Sequence, residues 1–239
     1  MARKTILLLG ASGNVAPHIT AGLERHYEVR PADVKPHPEG RPLVSCDITS
    51  YEQVREAARG TQAILNFTVN RSHPTLSFGV NLVGAYHVMR AAVELGIPTV
   101  VHTGPQMTMS EYAHDFDLAN PPPRPGTGYY TLTKHLSNEV CESFARGHGV
   151  RVLCFLFNGL HAKPTAPIQG QDFPPFTVNW EDLVEACRLA IEVESVPGNY
   201  QSFEMHSHLG HHKHLLDHAE RILGFRPHAP VEQLYRRPV

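Results

Sequence analysis

The chain has 239 residues, 41% of them hydrophobic, and a formal net charge of −2. That length allows one large domain, or one domain with a small appendage, and buries a core without disulfide staples. Charge near neutrality, with no basic run longer than Arg236-Arg237, argues against nucleic acid as a partner. Only about five apolar residues precede Gly10, short of the roughly 7–15 of a secretory core and the roughly 20 of a membrane span. Cys46, Cys141, Cys154 and Cys187 contain no C-x-x-C pair, the usage of a reducing compartment. The expectation is a cytoplasmic protein with no membrane partner.

Residues 5–9 are an apolar run of strand length, suited to a parallel sheet covered on both faces. A turn spans Gly10 to Gly13, and a helix follows over about 15–25. Residues 27–33 read as a second strand, with Pro31 near an edge or end. A third strand covers 43–47, and a helix from near Ser50 to Ala58 is closed by Gly60. The fourth strand is 63–67, a long helix runs over 78–95 with Gly96 past its end, and the fifth strand is 99–103. A loop rich in proline and glycine occupies 121–128. A helix over 129–146 and a sixth strand over 150–157 follow. Residues 161–176 read as loop, 180–190 as helix, 200–205 as strand and 211–223 as helix. Strand and helix alternating at this spacing predict an α/β fold: a Rossmann-type doubly wound parallel sheet. The expected division is a nucleotide-binding domain over 1–160 and a small substrate-binding part over 161–239, packed on the same domain.

Gly10-Ala11-Ser12-Gly13-Asn14-Val15-Ala16 sits between the first strand and its helix. Gly10 permits the tight turn, Gly13 lets the backbone approach a pyrophosphate, and the helix N-terminus favours phosphate charge. Gly10, Ser12, Gly13, Asn14 and Val15 are therefore candidate cofactor contacts. Asp33 follows Gly13 by about 20 residues, where a carboxylate accepts both ribose hydroxyls and repels a 2'-phosphate. This favours NAD, while Lys35 and His37 keep NADP open. Asp47 and Ile48 stand where the adenine would lie, and Asp47 reads equally well as a helix cap. Asn66, near the end of the fourth strand, joins the cofactor candidates.

Tyr130-Thr131-Leu132-Thr133-Lys134 places a phenol and an ammonium one helical turn apart on one face. A cation beside the phenol lowers its pKa from about 10, so that Tyr130 can exchange a proton while hydride moves. Lys134 would also hold the nicotinamide ribose. Tyr129 is a competing phenol at the wrong spacing.

These features resemble the extended short-chain dehydrogenases/reductases, the NAD-dependent epimerase/dehydratase group, from about Thr5 to Pro227. The resemblance rests on Gly10-x-x-Gly13, Asp33, Asp47-Ile48, Asn81-x-x-Gly84, Val100-Val101-His102-Thr103, Tyr130-x-x-x-Lys134, Trp180-Glu181-Asp182-Leu183 and Leu223-Gly224-Phe225-x-Pro227. Within the group the chain is most similar to compact uronate dehydrogenases, through stretches such as Val29-Arg30-Pro31-Ala32-Asp33 and His161-Ala162-Lys163-Pro164. The resemblance implies hydride transfer between NAD and a sugar or related hydroxyl, a small-molecule substrate, and a homodimer built on two long helices. It makes Tyr130, Lys134 and a Ser or Thr the catalytic set, with Asn81 a structural or proton-relay contributor.

Two departures stand out. The resemblance puts the Ser or Thr at Pro105, which has no donor. Thr103 is the favoured substitute, with Gln106, Thr108 and Ser110 as alternatives. Leu156 stands where uronate dehydrogenases carry an arginine, which argues against a uronic acid. Phe155, Phe157, Phe173, Phe176 and Trp180 point to a more apolar pocket, or to ordinary core packing. Among 17 histidines, His206, His208, His211, His212, His214 and His218 cluster, but no carboxylate or cysteine completes a ligand set, and no metal is expected. His102, His114 and His161 fall at strand ends, where open sheets bind ligands. The resulting expectation is an NAD-dependent oxidoreductase. The alternatives are an NAD-retaining epimerase or dehydratase and, because of Pro105, a non-catalytic NAD-binding sensor or scaffold.

Overall fold

The computed structural model describes residues 3–106, 125–164, 177–207 and 215–228. β1 (Thr5–Leu9) is almost wholly buried, as its apolar run requires, and leads through the glycine turn into α1 (Ala16–Leu23). β2 (Glu28–Asp33), β3 (Val44–Ser45), α2 (Tyr51–Ala58) and β4 (Ala63–Asn66) follow. Next come α3 (Pro74–Ser77), a π-helical stretch (Phe78–Val83), α4 (Gly84–Leu95) and β5 (Thr99–Pro105). α5 (Tyr129–His148), β6 (Arg151–Phe157), β7 (Gly159–His161), β8 (Thr177–Asn179), α6 (Trp180–Glu192), β9 (Tyr200–Met205) and α7 (Asp217–Leu223) complete the described elements.

Seven strands form one sheet in the order β3-β2-β1-β4-β5-β6-β9, and every pairing is parallel. One face packs Ile19 and Leu23 of α1, Leu183 and Cys187 of α6 and Leu223 of α7. The other packs Val54 of α2, Val88 and Met89 of α4 and Cys141 and Ala145 of α5. This is the doubly wound Rossmann-type sheet that the strand–helix alternation predicts. Strand order reverses between β1 and β4, which opens a crevice at their carboxyl ends.

Four details differ from the sequence expectation. β5 extends two residues further, because Gly104 and Pro105 keep pairing with Leu156 and Phe157 and the Gln106 N–H donates to the Phe157 carbonyl at 3.0 Å. Alternation turns the nitrogen of Pro105 to the opposite edge, where β4 has already ended opposite His102, so its missing N–H removes no ladder bond. The long helix begins earlier, at Pro74, since proline at the first turn lacks only an N–H that would have had no partner. Residues 159–161, at the edge of the stretch read as loop, pair with 177–179 as a two-stranded sheet. A Cβ at Gly159 would lie 2.5 Å from Thr177 Oγ1, so a side chain there would have to displace that hydroxyl. Finally, β9 joins the main sheet beside β6, so the C-terminal part supplies a strand to the nucleotide-binding sheet itself. Of the expected helix over 211–223, α7 is its described portion, and 211–214 lie outside the described residues.

Candidate active site

The crevice has two connected parts. The nucleotide end is a cavity of about 530 Å³ lined by Gly10, Ser12, Gly13, Asn14, Val15, Asp33, Asp47 and Ile48 among others. The reacting end, of about 380 Å³, is lined by Thr103, Pro105, Gln106, Tyr130, Lys134 and Trp180 among others. Asn14, Val15, Phe67, Val69 and Arg71 border both. The two linings together contain every expected cofactor or catalytic contact except Asn66.

At the nucleotide end Gly10 holds φ at +80°, and a Cβ there would fall 2.8 Å from the Phe67 carbonyl carbon. Only glycine allows β1 to turn this close to the end of β4. The Asp33 carboxylate accepts the Ser12 N–H at 2.9 Å and the Lys35 N–H at 3.0 Å, so it is anchored by backbone at the crevice rim. Asp47 accepts the N–H and hydroxyl of Thr49 at 2.9 and 2.7 Å. The α2 cap is Ser50, which accepts the Gln53 N–H, so Asp47 closes the turn rather than the helix. Asn66 is a correction. It is 1% exposed and does not line the crevice. Its Oδ1 accepts the Thr68 N–H and hydroxyl at 3.1 and 2.6 Å, and it braces the wall from behind because it sits at a paired strand position.

At the reacting end α5 presents Tyr130 and Lys134 on one face, as the spacing predicts. Lys134 is 2% exposed and its Nζ has no hydrogen-bond partner. Burial draws the ammonium from 10.5 down to about 8. Tyr130 is pushed above its usual value by burial, and the cation that opposes this is Arg71 rather than Lys134. The Arg71 guanidinium lies 4.8 Å from the centre of the Tyr130 ring. Tyr129, the competing phenol, donates its hydroxyl to the Arg71 carbonyl at 2.9 Å and so pins the loop that carries this cation. Sequence reading missed Arg71 because its link to α5 is long-range.

Behind the wall runs a buried polar chain. His102 is 1% exposed, and its Nδ1 faces Asn66 Nδ2 at 3.4 Å while its Nε2 faces Ser137 Oγ at 2.9 Å. Ser137 donates its own hydroxyl proton to the Lys134 carbonyl at 2.8 Å, which leaves Nε2 as the protonated nitrogen. Burial, then the charge of Lys134, holds the imidazolium well below its ordinary range, so His102 is neutral. It ties β4 and β5 to α5. Asn81 Nδ2 donates to the Asn70 carbonyl at 2.9 Å and to Thr133 Oγ1 at 3.0 Å, which makes it a pin between the π-helical stretch, the loop after β4 and α5. Thr103 reaches the cavity, but its hydroxyl donates to the Asn66 carbonyl at 3.2 Å. His161 is exposed at the end of β7. Thr108, Ser110, His114, Phe173, Phe176, His208, His211, His212 and His214 lie outside the described residues.

Residues 6–161 match the model of the NAD dependent epimerase/dehydratase family. The chain belongs to that family. It is an NAD-dependent enzyme, and the crevice suits the cofactor: a glycine cradle that a Cβ would fill, a rim carboxylate, and an unpaired buried ammonium at the far end. No curated protein sequence matches the chain. Among solved structures it is similar to uronate dehydrogenase from Agrobacterium tumefaciens, at 18% identity and a TM-score of 0.82, covering 100% of this chain and 92% of that one. Glucuronic acid dehydrogenase from Chromohalobacter salexigens has 17% identity, a TM-score of 0.79 and the same coverage. UDP-glucose 4-epimerase from Thermus thermophilus, solved with NAD, has 19% identity and a TM-score of 0.69, covering 95% and 86%. At such identities the likeness establishes a shared fold.

Proposed function

We propose that the protein is an NAD-dependent oxidoreductase that moves hydride between the nicotinamide and a secondary alcohol or its carbonyl on a sugar-like or more apolar small molecule. The observation that carries this reading is the pair Tyr130 and Lys134 on one wall of a cavity continuous with the nucleotide crevice, with the Lys134 ammonium unpaired. Bound NAD would supply the hydride acceptor. In oxidation the alcohol O–H proton passes to the Tyr130 phenolate and the carbinol hydrogen leaves with its electron pair, giving a carbonyl. Burial raises the Tyr130 pKa, and Arg71 opposes that rise without cancelling it. Lys134 would hold the nicotinamide ribose, which would give its buried ammonium partners. Asp33 would take the adenosine ribose, and Gly10, Ser12, Gly13, Asn14 and Val15, which line the nucleotide end, would hold the pyrophosphate. Gly159 and Leu160 of β7 and Trp180 of α6 would border the substrate.

The exposed apolar side chains Leu76, Phe78, Val83 and Tyr86 lie along α3, the π-helical stretch and α4, and they support a homodimer across α4 and α5. The four cysteines are buried free thiols, which supports a cytoplasmic location. No helix among the described residues is long and apolar enough to cross a membrane.

Heat stability is titrated with NAD and NADP, and alcohols are then screened for NADH absorbance. NAD should raise the melting temperature far more than NADP. Tyr130→Phe should keep that rise and lose at least about 100-fold in turnover. A Tyr130→Phe protein as active as wild type would remove the phenol from the chemistry. Pro105 favours a second reading, a catalytically silent NAD-binding protein; NAD binding without turnover of any alcohol would select it.

A further inference from the structure

Among the described residues Gln106 is a buried polar group in the reacting cavity with no partner. It is 6% exposed, it lines the reacting cavity with Tyr130 and Lys134, and neither Oε1 nor Nε2 of its amide has a hydrogen-bond partner. Its backbone is held, since the Gln106 N–H donates to the Phe157 carbonyl at 3.0 Å. The residue is therefore anchored at a strand end by its backbone, with its side-chain amide buried and unpaired. A buried donor and acceptor left without partners are costly, and such groups persist where a ligand completes them.

The residues just before it cannot do this work. Thr103 spends its proton on the Asn66 carbonyl. A side chain at Gly104 would bring a Cβ within 3.1 Å of Leu156 Cδ2. Pro105 carries no donor. Among the described residues at this end of β5 what remains is an amide, which differs from a hydroxyl in offering a donor and an acceptor side by side, at a spacing that suits two neighbouring oxygens.

We infer that Gln106 grips a vicinal diol: Nε2 donates to the oxygen that becomes the carbonyl, and Oε1 accepts from the adjacent hydroxyl. This rests on the oxidoreductase reading and narrows its substrate to a polyol, sugars included, in preference to an apolar mono-alcohol. A neutral donor on the reacting oxygen would stabilise the charge that develops there as its proton leaves for Tyr130. A site whose amide needs two partners also rejects a molecule that brings only one.

Wild type, Gln106→Leu and Gln106→Asn are compared with NAD and three probes: myo-inositol, D-galactose and cyclohexanol. Wild type should favour the polyols over cyclohexanol by about 100-fold or more in kcat/KM. Gln106→Leu should lose about 100-fold in kcat on the polyols, with the polyol preference collapsing and the NAD-induced rise in melting temperature unchanged. Without cofactor, Gln106→Leu should melt at or above wild type, because an unpaired buried amide has gone. Three outcomes overturn the inference: a polyol preference that survives Gln106→Leu, a change in KM alone with kcat intact, or a cofactor-free Gln106→Leu that melts well below wild type and is restored by Gln106→Asn. If wild type binds NAD but oxidises no probe, the oxidoreductase reading fails by itself. Gln106 is then judged on thermal protection of the NADH complex. Protection by myo-inositol that Gln106→Leu abolishes supports the diol grip, and protection equal to that by cyclohexanol, or none, overturns it.

Discussion

At the nucleotide end of the crevice the polar groups are already paired, whereas at the reacting end several are not. Asp33 has two backbone N–H donors and Asp47 has the N–H and hydroxyl of Thr49. Lys134 Nζ and both amide atoms of Gln106 are buried without partners. One end recognises by shape, through a backbone that glycine lets approach closely. The other leaves buried groups unpaired at the expense of the cofactor-free fold. The difference teaches where stability and function coincide and where they oppose each other.

The comparison breaks most visibly at Gly10. Gly10→Ala strains a residue at φ +80° and drives a Cβ into the Phe67 backbone, which should cost about 3 kcal/mol and abolish the NAD-induced rise in melting temperature. Chemical unfolding and NAD titration check both. A variant as stable as wild type would mean that the turn has room for a side chain.

Lys134→Met should act in the opposite direction. Folding draws this ammonium from 10.5 to about 8, and one pKa unit is worth about 1.4 kcal/mol, so the variant should be more stable at pH 7 by about 2–3 kcal/mol without cofactor. Between about pH 8 and 10.5 the unfolded chain keeps the proton and the folded chain does not. Wild-type stability therefore rises through that window, and the advantage of Lys134→Met fades. Unfolding midpoints at about pH 7 and about pH 10 read this directly, and a destabilised Lys134→Met at neutral pH would show that the ammonium is paired.

The smallest effect is expected at Asp33. Asp33→Asn keeps the shape, gives up one acceptor for Ser12 or Lys35 and removes the charge that repels a 2'-phosphate. The preference for NAD over NADP should drop about tenfold, roughly 1.4 kcal/mol. Equal titration curves for Asp33→Asn and wild type would take the ribose contact away from Asp33.

Legibility followed the range of the interactions. The strand runs, the glycine turn and the Tyr130–Lys134 spacing are written within a few residues of one another, and the doubly wound sheet follows from them. The β7–β8 pair was not legible, because three-residue strands carry too little periodicity. The extension of β5 through Pro105 was hidden for another reason: proline argues against a strand unless one edge is known to be free. Asn66 read as a cofactor contact from its place at a strand end, yet its side chain faces inward to Thr68 and His102.

Local pattern was therefore enough for the class of fold, the family and the two ends of the crevice, since each depends on spacing along one strand, turn or helix. The third dimension was needed for the chemistry of the reacting end. That Arg71, rather than Lys134, lies over the Tyr130 ring, that Thr103 is spent on Asn66 and that Gln106 is left unpaired are consequences of contacts between distant segments. Burial and pairing are properties of the packed chain, so no reading of neighbours in sequence could supply them.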